Sequence, residues 1–215
     1  MADQSRTYLT AADLDRISQA VTEAEQRTSG EIVPMIVGQS DDYPGARWRL
    51  AIVTALLFGL VTALWLTARP GVGHLTWILW AEIPGLYIGY WLGGFSPILR
   101  PFLAAAKIDE EVHQRALQAF FSRELHATRD RTGILIMVSL LEHRLEILAD
   151  SGINARVPAD TWQQIIFDML AQIKAGDLAE GFCTAIHECA EVLAREFPGS
   201  HDNPDEISNR VIIEE

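Results

Sequence analysis

From Leu50 to Ala68 the chain runs without a single charged residue: Leu-Ala-Ile-Val-Thr-Ala-Leu-Leu-Phe-Gly-Leu-Val-Thr-Ala-Leu-Trp-Leu-Thr-Ala. At the helical rise of 1.5 Å per residue this stretch covers about 28 Å, the thickness of a bilayer's hydrocarbon core. A helix in a water-soluble core rarely stays apolar on every side for that length. Arg47 and Arg49 stand at one end of the run and Arg69 at the other. The run predicts a transmembrane helix, and everything else in the chain has to be arranged around it.

A second apolar segment, Thr76 to Leu99, predicts the return span of a hairpin, although it contains Glu82, Pro84 and several glycines. Pro70, Gly71 and Gly73 supply the turn. Trp65, Trp77 and Trp80 gather at the turn end and Trp48 at the other, where interfacial anchors belong. Glu82 reads either as an intramembrane functional group or as a side chain reaching the interface. Small residues recur every four positions in both spans: Ala51, Ala55, Gly59 and Ala63 in the first, Gly85, Gly89 and Gly93 in the second. Lipid gives helices no hydrophobic reason to pair, so close approach along such stripes holds spans together. Pairing within the hairpin is expected, with a homodimer through the same stripes as the alternative. Arg47, Arg49, Arg100 and Lys107 flank the outer ends against Arg69 alone in the turn. By the positive-inside rule, both termini face the cytoplasm and the protein is integral to the inner or plasma membrane, with two spans.

The remaining sequence is acidic and α/β in pattern. A net charge of -12 excludes the basic footprint that duplex nucleic acid needs. Met1 to Ala20 is polar and periodic and has none of the features of a signal peptide. Cys183 and Cys189, six apart on one predicted helix, read as buried thiols in a reducing compartment. Thr10 and Asp13 start a helix that reaches about Thr28. Glu31 to Gly38 reads as a strand, with Pro34 tolerable only at an edge or bulge. After the hairpin come a helix from Asp109 to Thr128, an apolar strand from Ile134 to Leu140, and an alternating strand from Arg144 to Ala149 joined through Glu142-His143. Helices follow from Pro158 and, after Gly176-Asp177, to about Phe197; Arg210 to Ile213 reads equally as an added edge strand or as a loose terminus. The order predicts one domain with a small sheet under helices, interrupted by the hairpin. Residues 1–47 form its first helix and strand, 48–99 the hairpin, 100–197 the remainder and 198–215 an acidic tail.

Four stretches carry a family resemblance: Thr28-Ser29-Gly30-Glu31-Ile32-Val33; Arg131 through Leu140; Arg144 through Ile153; and Gly176-Asp177-Leu178-Ala179-Glu180-Gly181-Phe182. In this order they resemble the TPM domain family of small, usually membrane-tethered α/β modules. The resemblance implies a Rossmann-like sandwich of about four strands flanked by helices, and a divalent-cation site, often calcium, in acidic loops at one end of the sheet. It also implies acid-phosphatase activity in some members and maintenance of membrane complexes in others.

Asp41 and Asp42 follow the first strand, Glu142 sits in the hairpin turn, Asp150 ends a strand and Asp160 starts a helix. These five carboxylates are the candidate metal ligands, because calcium takes six to eight hard oxygens and loops at one end of a sheet converge. Ordinary roles compete: Asp160 and Asp177 could cap helices and Asp150 could belong to a turn. Cys183 and His187, four apart, share a helical face with Glu188 next along the chain, but only two good ligands are close, too few for zinc. No nucleophile–base spacing and no phosphate-binding glycine loop stands out. The sequence therefore predicts a membrane-anchored module that binds a divalent cation, a membrane protein partner or both; a metal-assisted phosphatase is the alternative.

Overall fold

The computed structural model describes residues 9–68, 76–199 and 207–214. Arg69 and the predicted turn at Pro70 to Gly73 lie outside these residues, as does part of the acidic tail. The chain divides into two compact units, residues 1–40 with 109–215, and residues 41–108.

The first unit is a mixed α/β domain. Helix α1 (Ala11–Glu25) opens with a complete capping box, in which Asp13 N–H donates to the Thr10 hydroxyl and Thr10 N–H donates back to the Asp13 carboxylate. Strand β1 (Glu31–Val37) pairs in parallel with β2 (Gly133–Ser139), and β2 pairs antiparallel with β3 (Arg144–Ala149). A short final strand, β4 (Ile212–Glu214), adds in parallel to the other side of β1, giving the order β3-β2-β1-β4. Of the two readings of this segment, Ile212–Glu214 thus takes the strand. Every residue of β1 and β2 is buried, as continuous apolar runs in a sheet covered on both faces should be.

Pro34 sits inside β1 without breaking it. Along β1 the amides of Glu31 and Ile32 point to opposite sides, Glu31 to Thr132 of the β2 side and Ile32 to the Glu25 carboxylate. Pro34 has the parity of Ile32, and β4 begins only opposite Met35. The missing N–H therefore faces a side with no strand beside it, and no ladder bond is lost.

Ile32, Ile36, Ile134, Ile136 and Val138 meet α1, α5 (Ala159–Lys174) and α6 (Leu178–Glu196) in the main core, around Phe182, Ile186 and Met169. Helix α4 (Ala105–Ser122) serves the opposite face. His113 bonds Glu146, whose cross-strand partner is Met137, and α4 buries Val112, Ala116 and Phe120. It stops at Ser122, short of the expected Thr128, because Glu124 takes a left-handed φ of 58° and a 3₁₀ turn follows.

The second unit is a helix pair, α2 (Pro44–Thr67) and α3 (Thr76–Leu92). Pro44 in the first turn of α2 has its φ pre-set for a helix and no N–H to satisfy, so the helix starts before the apolar run. Among the described residues α2 is the one helix long and apolar enough to cross a membrane. Helix α3 ends at Leu92 and not at Leu99. Its last turn closes with Gly93 N–H on Gly89 and Gly94 N–H on Trp91, two glycines where a continuing helix would be weakest.

The pair is held by the small-residue stripes. A Cβ on Gly85 would lie 2.7 Å from Ala55 Cα, one on Gly89 2.6 Å from Ala51 Cα, and one on Gly93 3.1 Å from Arg47 Cγ. Each step of four along α3 meets a step of four back along α2, an antiparallel seam in which the backbones touch. Glu82 faces this seam, its carboxylate over Gly59. Outside the seam, large apolar side chains point away: Leu56 is 62% exposed and Tyr87 75%, against 0% for Ala51.

Candidate functional site

Two features of the α/β unit sit at the C-terminal ends of β1 and β2. The first is a polar cluster. The buried Glu142 carboxylate accepts the Ser40 backbone N–H at 2.9 Å through Oε1 and the Ser139 hydroxyl through Oε2. Ser40 Oγ in turn lies 3.0 Å from Ser139 Oγ. A buried carboxylate needs such donors, and here they tie the segment after β1 to the β2–β3 turn. Close by, Gly38 N–H donates to the Glu214 carbonyl, and the Glu214 carboxylate accepts from Arg115 and Arg123 of α4.

The second feature is a cavity of about 500 Å³ between the β2–β3 turn and the α5–α6 turn. Val138, Leu140, Leu145, Leu170, Ile173 and Leu178 give it an apolar lining, while His143, Arg144 and Lys174 contribute the basic side chains. Its volume falls within the roughly 300–1,000 Å³ typical of small-molecule sites.

The five carboxylates singled out in the sequence are not brought together as a set. Glu142 lies in the cluster just described. Asp150 lies beyond the far end of β3, where its N–H bonds Gly133, the first residue of β2. The six residues of β3 separate the two by roughly 20 Å at about 3.4 Å per residue. Asp150 caps the short helical turn Ser151–Asn154 through Ser151 N–H at 2.6 Å, with Arg131 3.8 Å from its second oxygen. Asp160 is exposed in the first turn of α5, a helix whose N-cap is Pro158. It favours the helix dipole without capping. Asp41 and Asp42 belong to the helical unit, where Asp41 accepts the Tyr43 N–H at 3.0 Å. Among the described residues no group of three or more His, Cys, Asp or Glu side chains is placed to hold a metal ion.

Asp177 caps α6 through Glu180 N–H at 2.8 Å. Cys183 and Cys189 are buried and unbridged, and burial pushes both thiols up. Glu188 is also raised, by burial first and then by Asp168 and Glu191. The His113–Glu146 pair, 2.8 Å apart, joins α4 to β3 across 33 residues, and no local pattern announces it. The cavity was equally invisible, because its lining comes from two segments far apart in the chain, residues 138–145 of the β2–β3 hairpin and 170–178 around the α5–α6 turn.

These features define a small mixed α/β domain with a four-stranded sheet flanked by helices. Residues 103–192 match the family model of the TPM domain. The fold is similar to the NMR structure of the BA42 protein from the psychrophilic bacterium Bizionia argentinensis. The two share 21% identity with a TM-score of 0.62, covering 99% of each chain. No curated protein matches the chain.

Proposed function

We propose that this chain is a membrane-anchored TPM module that supports a membrane complex by binding a protein partner, and not by catalysis. The observation that carries the reading is the inside-out character of the helix pair. Its small residues are buried in the seam, while Trp48, Ile52, Leu56, Leu60, Val61, Leu64, Trp80 and Tyr87 are exposed around it. Soluble monomers rarely expose contiguous apolar patches beyond a few hundred Å². In lipid the same arrangement is favourable, and both helices serve as spans. By the positive-inside rule, Arg47, Arg49, Arg100 and Lys107 at the outer ends favour an orientation with the α/β unit and both termini in the cytoplasm.

Binding is favoured over catalysis because Ser139 and Glu142, the hydroxyl and carboxylate of the polar cluster, are buried away from any substrate. Phe167, 67% exposed on α5 one turn before the cavity residue Leu170, gives a partner an apolar anchor.

Protease treatment of sealed vesicles with the cytoplasmic face outward tests the topology. The α/β unit should be digested while a fragment near residues 48–99 survives. Protection of the α/β unit, or digestion of the whole chain, would overturn the arrangement. Pull-down of the Phe167→Asp variant from solubilised membranes should lose proteins that the parent retains; identical recoveries would remove the partner reading.

A further inference from the structure

We infer that the cavity between the β2–β3 and α5–α6 turns is a binding site for a single-chain amphiphilic anion, an acyl chain ending in a carboxylate or phosphate. Six aliphatic side chains form its walls, which suits a flexible hydrocarbon. The polar part of the lining is one-signed: His143, Arg144 and Lys174, with no acidic side chain among the lining residues. In a chain of net charge -12 with 29 carboxylates, that local excess of donors is a departure from the surface at large.

Each basic group is placed to serve an anion. Lys174, one of two lysines in the chain, makes no hydrogen bond or ion pair among the described residues. Arg144 pairs with Asp109 through Nε at 2.7 Å, a bond that leaves its terminal nitrogens outside the pair. His143 holds a left-handed φ of 52°. Glycine would adopt that conformation without strain, yet an imidazole is kept there, lining the cavity. Gly176, with φ 95°, ends α5 directly after Lys174 and Ala175, so the lysine stands at the cavity where the helix stops.

The site lies wholly within the α/β unit and does not depend on membrane anchoring. The test is methyl NMR of the full chain in nanodiscs, titrated with decanoate, decyl phosphate, decanol and acetate. Decanoate or decyl phosphate should shift the methyls of Leu140, Leu145, Leu170, Ile173 and Leu178 saturably; whichever binds tighter identifies the headgroup. Decanol should bind about tenfold more weakly, the loss expected for one charge-assisted contact, and acetate not at all. Lys174→Gln should weaken the anions several-fold and leave decanol unchanged. His143→Gly should melt at or above the parent temperature while losing anion affinity, which separates binding from folding. Equal affinity for decanol and decanoate would overturn the proposal. So would shifts confined to α2 and α3.

Discussion

The seam between α2 and α3 makes a quantitative demand on Gly85 and Gly89. Carbon atoms in van der Waals contact sit roughly 3.5–4.0 Å apart. A Cβ at Gly85 or Gly89 would meet backbone Cα at 2.7 or 2.6 Å, and the atoms in the way cannot rotate aside. Either substitution therefore forces the helices apart by about 1 Å, and forfeits a quarter to a half of the attraction along the seam. Overpacking on this scale costs about 1–3 kcal/mol per site. Gly45 of α2 is the control, because a Cβ there has nothing within 4 Å. Gly85→Leu and Gly89→Leu should each lose about 1–3 kcal/mol, while Gly45→Ala is neutral or gains up to about 1 kcal/mol. SDS titration into a mild detergent, followed by near-UV circular dichroism, reads the Trp48–Tyr90 contact, whose rings lie 5.2 Å apart at the open end of the pair. If both leucine variants unfold at the parent's SDS fraction, the helices do not pack on these glycines and the seam is wrong.

Three further outcomes follow from the α/β unit. Glu142→Ala should destabilise by roughly 2–5 kcal/mol in urea, since it strands the Ser40 N–H and the Ser139 hydroxyl, whereas Glu142→Gln should keep part of the network. Glu188, raised by burial, makes the folded chain bind a proton more readily than the unfolded chain. Stability at that site is therefore fullest in acid and declines as pH rises through the carboxylate range. Glu188→Gln should raise Tm at pH 7 and leave it unchanged near pH 3 in a calorimetric series. Cys183 and Cys189, both buried with raised thiols, should resist a thiol reagent at pH 8 in the folded chain and react fully in guanidinium. Rapid labelling of the native protein would show that α6 opens.

What could be read from the sequence was whatever the chain specifies locally. The Thr10–Asp13 box, the apolar runs of β1 and β2, the alternation of β3 and the four-residue stripes each need only a few neighbours to express their physics. The strand at 212–214 is three residues long and depends on register with Met35–Val37 and on Arg115 and Arg123, some 90 to 100 residues away. Its sequence alone could not decide between strand and tail. The separation of Glu142 from Asp150 was implicit in the predicted hairpin, because an antiparallel strand carries its end away from its own turn. Reading acidic residues after strands as one convergent set overlooked that reversal. The second apolar segment shows the same limit: composition ran on to Leu99, while the helix is interrupted at the Gly93-Gly94 pair and resumes only as one short turn at Ser96–Leu99.

Whether lipid solvates the exposed apolar surface of α2 and α3 decides between a membrane anchor and a water-soluble chain. Membranes from cells making the full chain, washed in alkaline carbonate and sedimented, should keep the protein in the pellet until detergent releases it. Recovery of the chain in the carbonate supernatant, as a monodisperse species without detergent, would contradict the anchor and the topology derived from it.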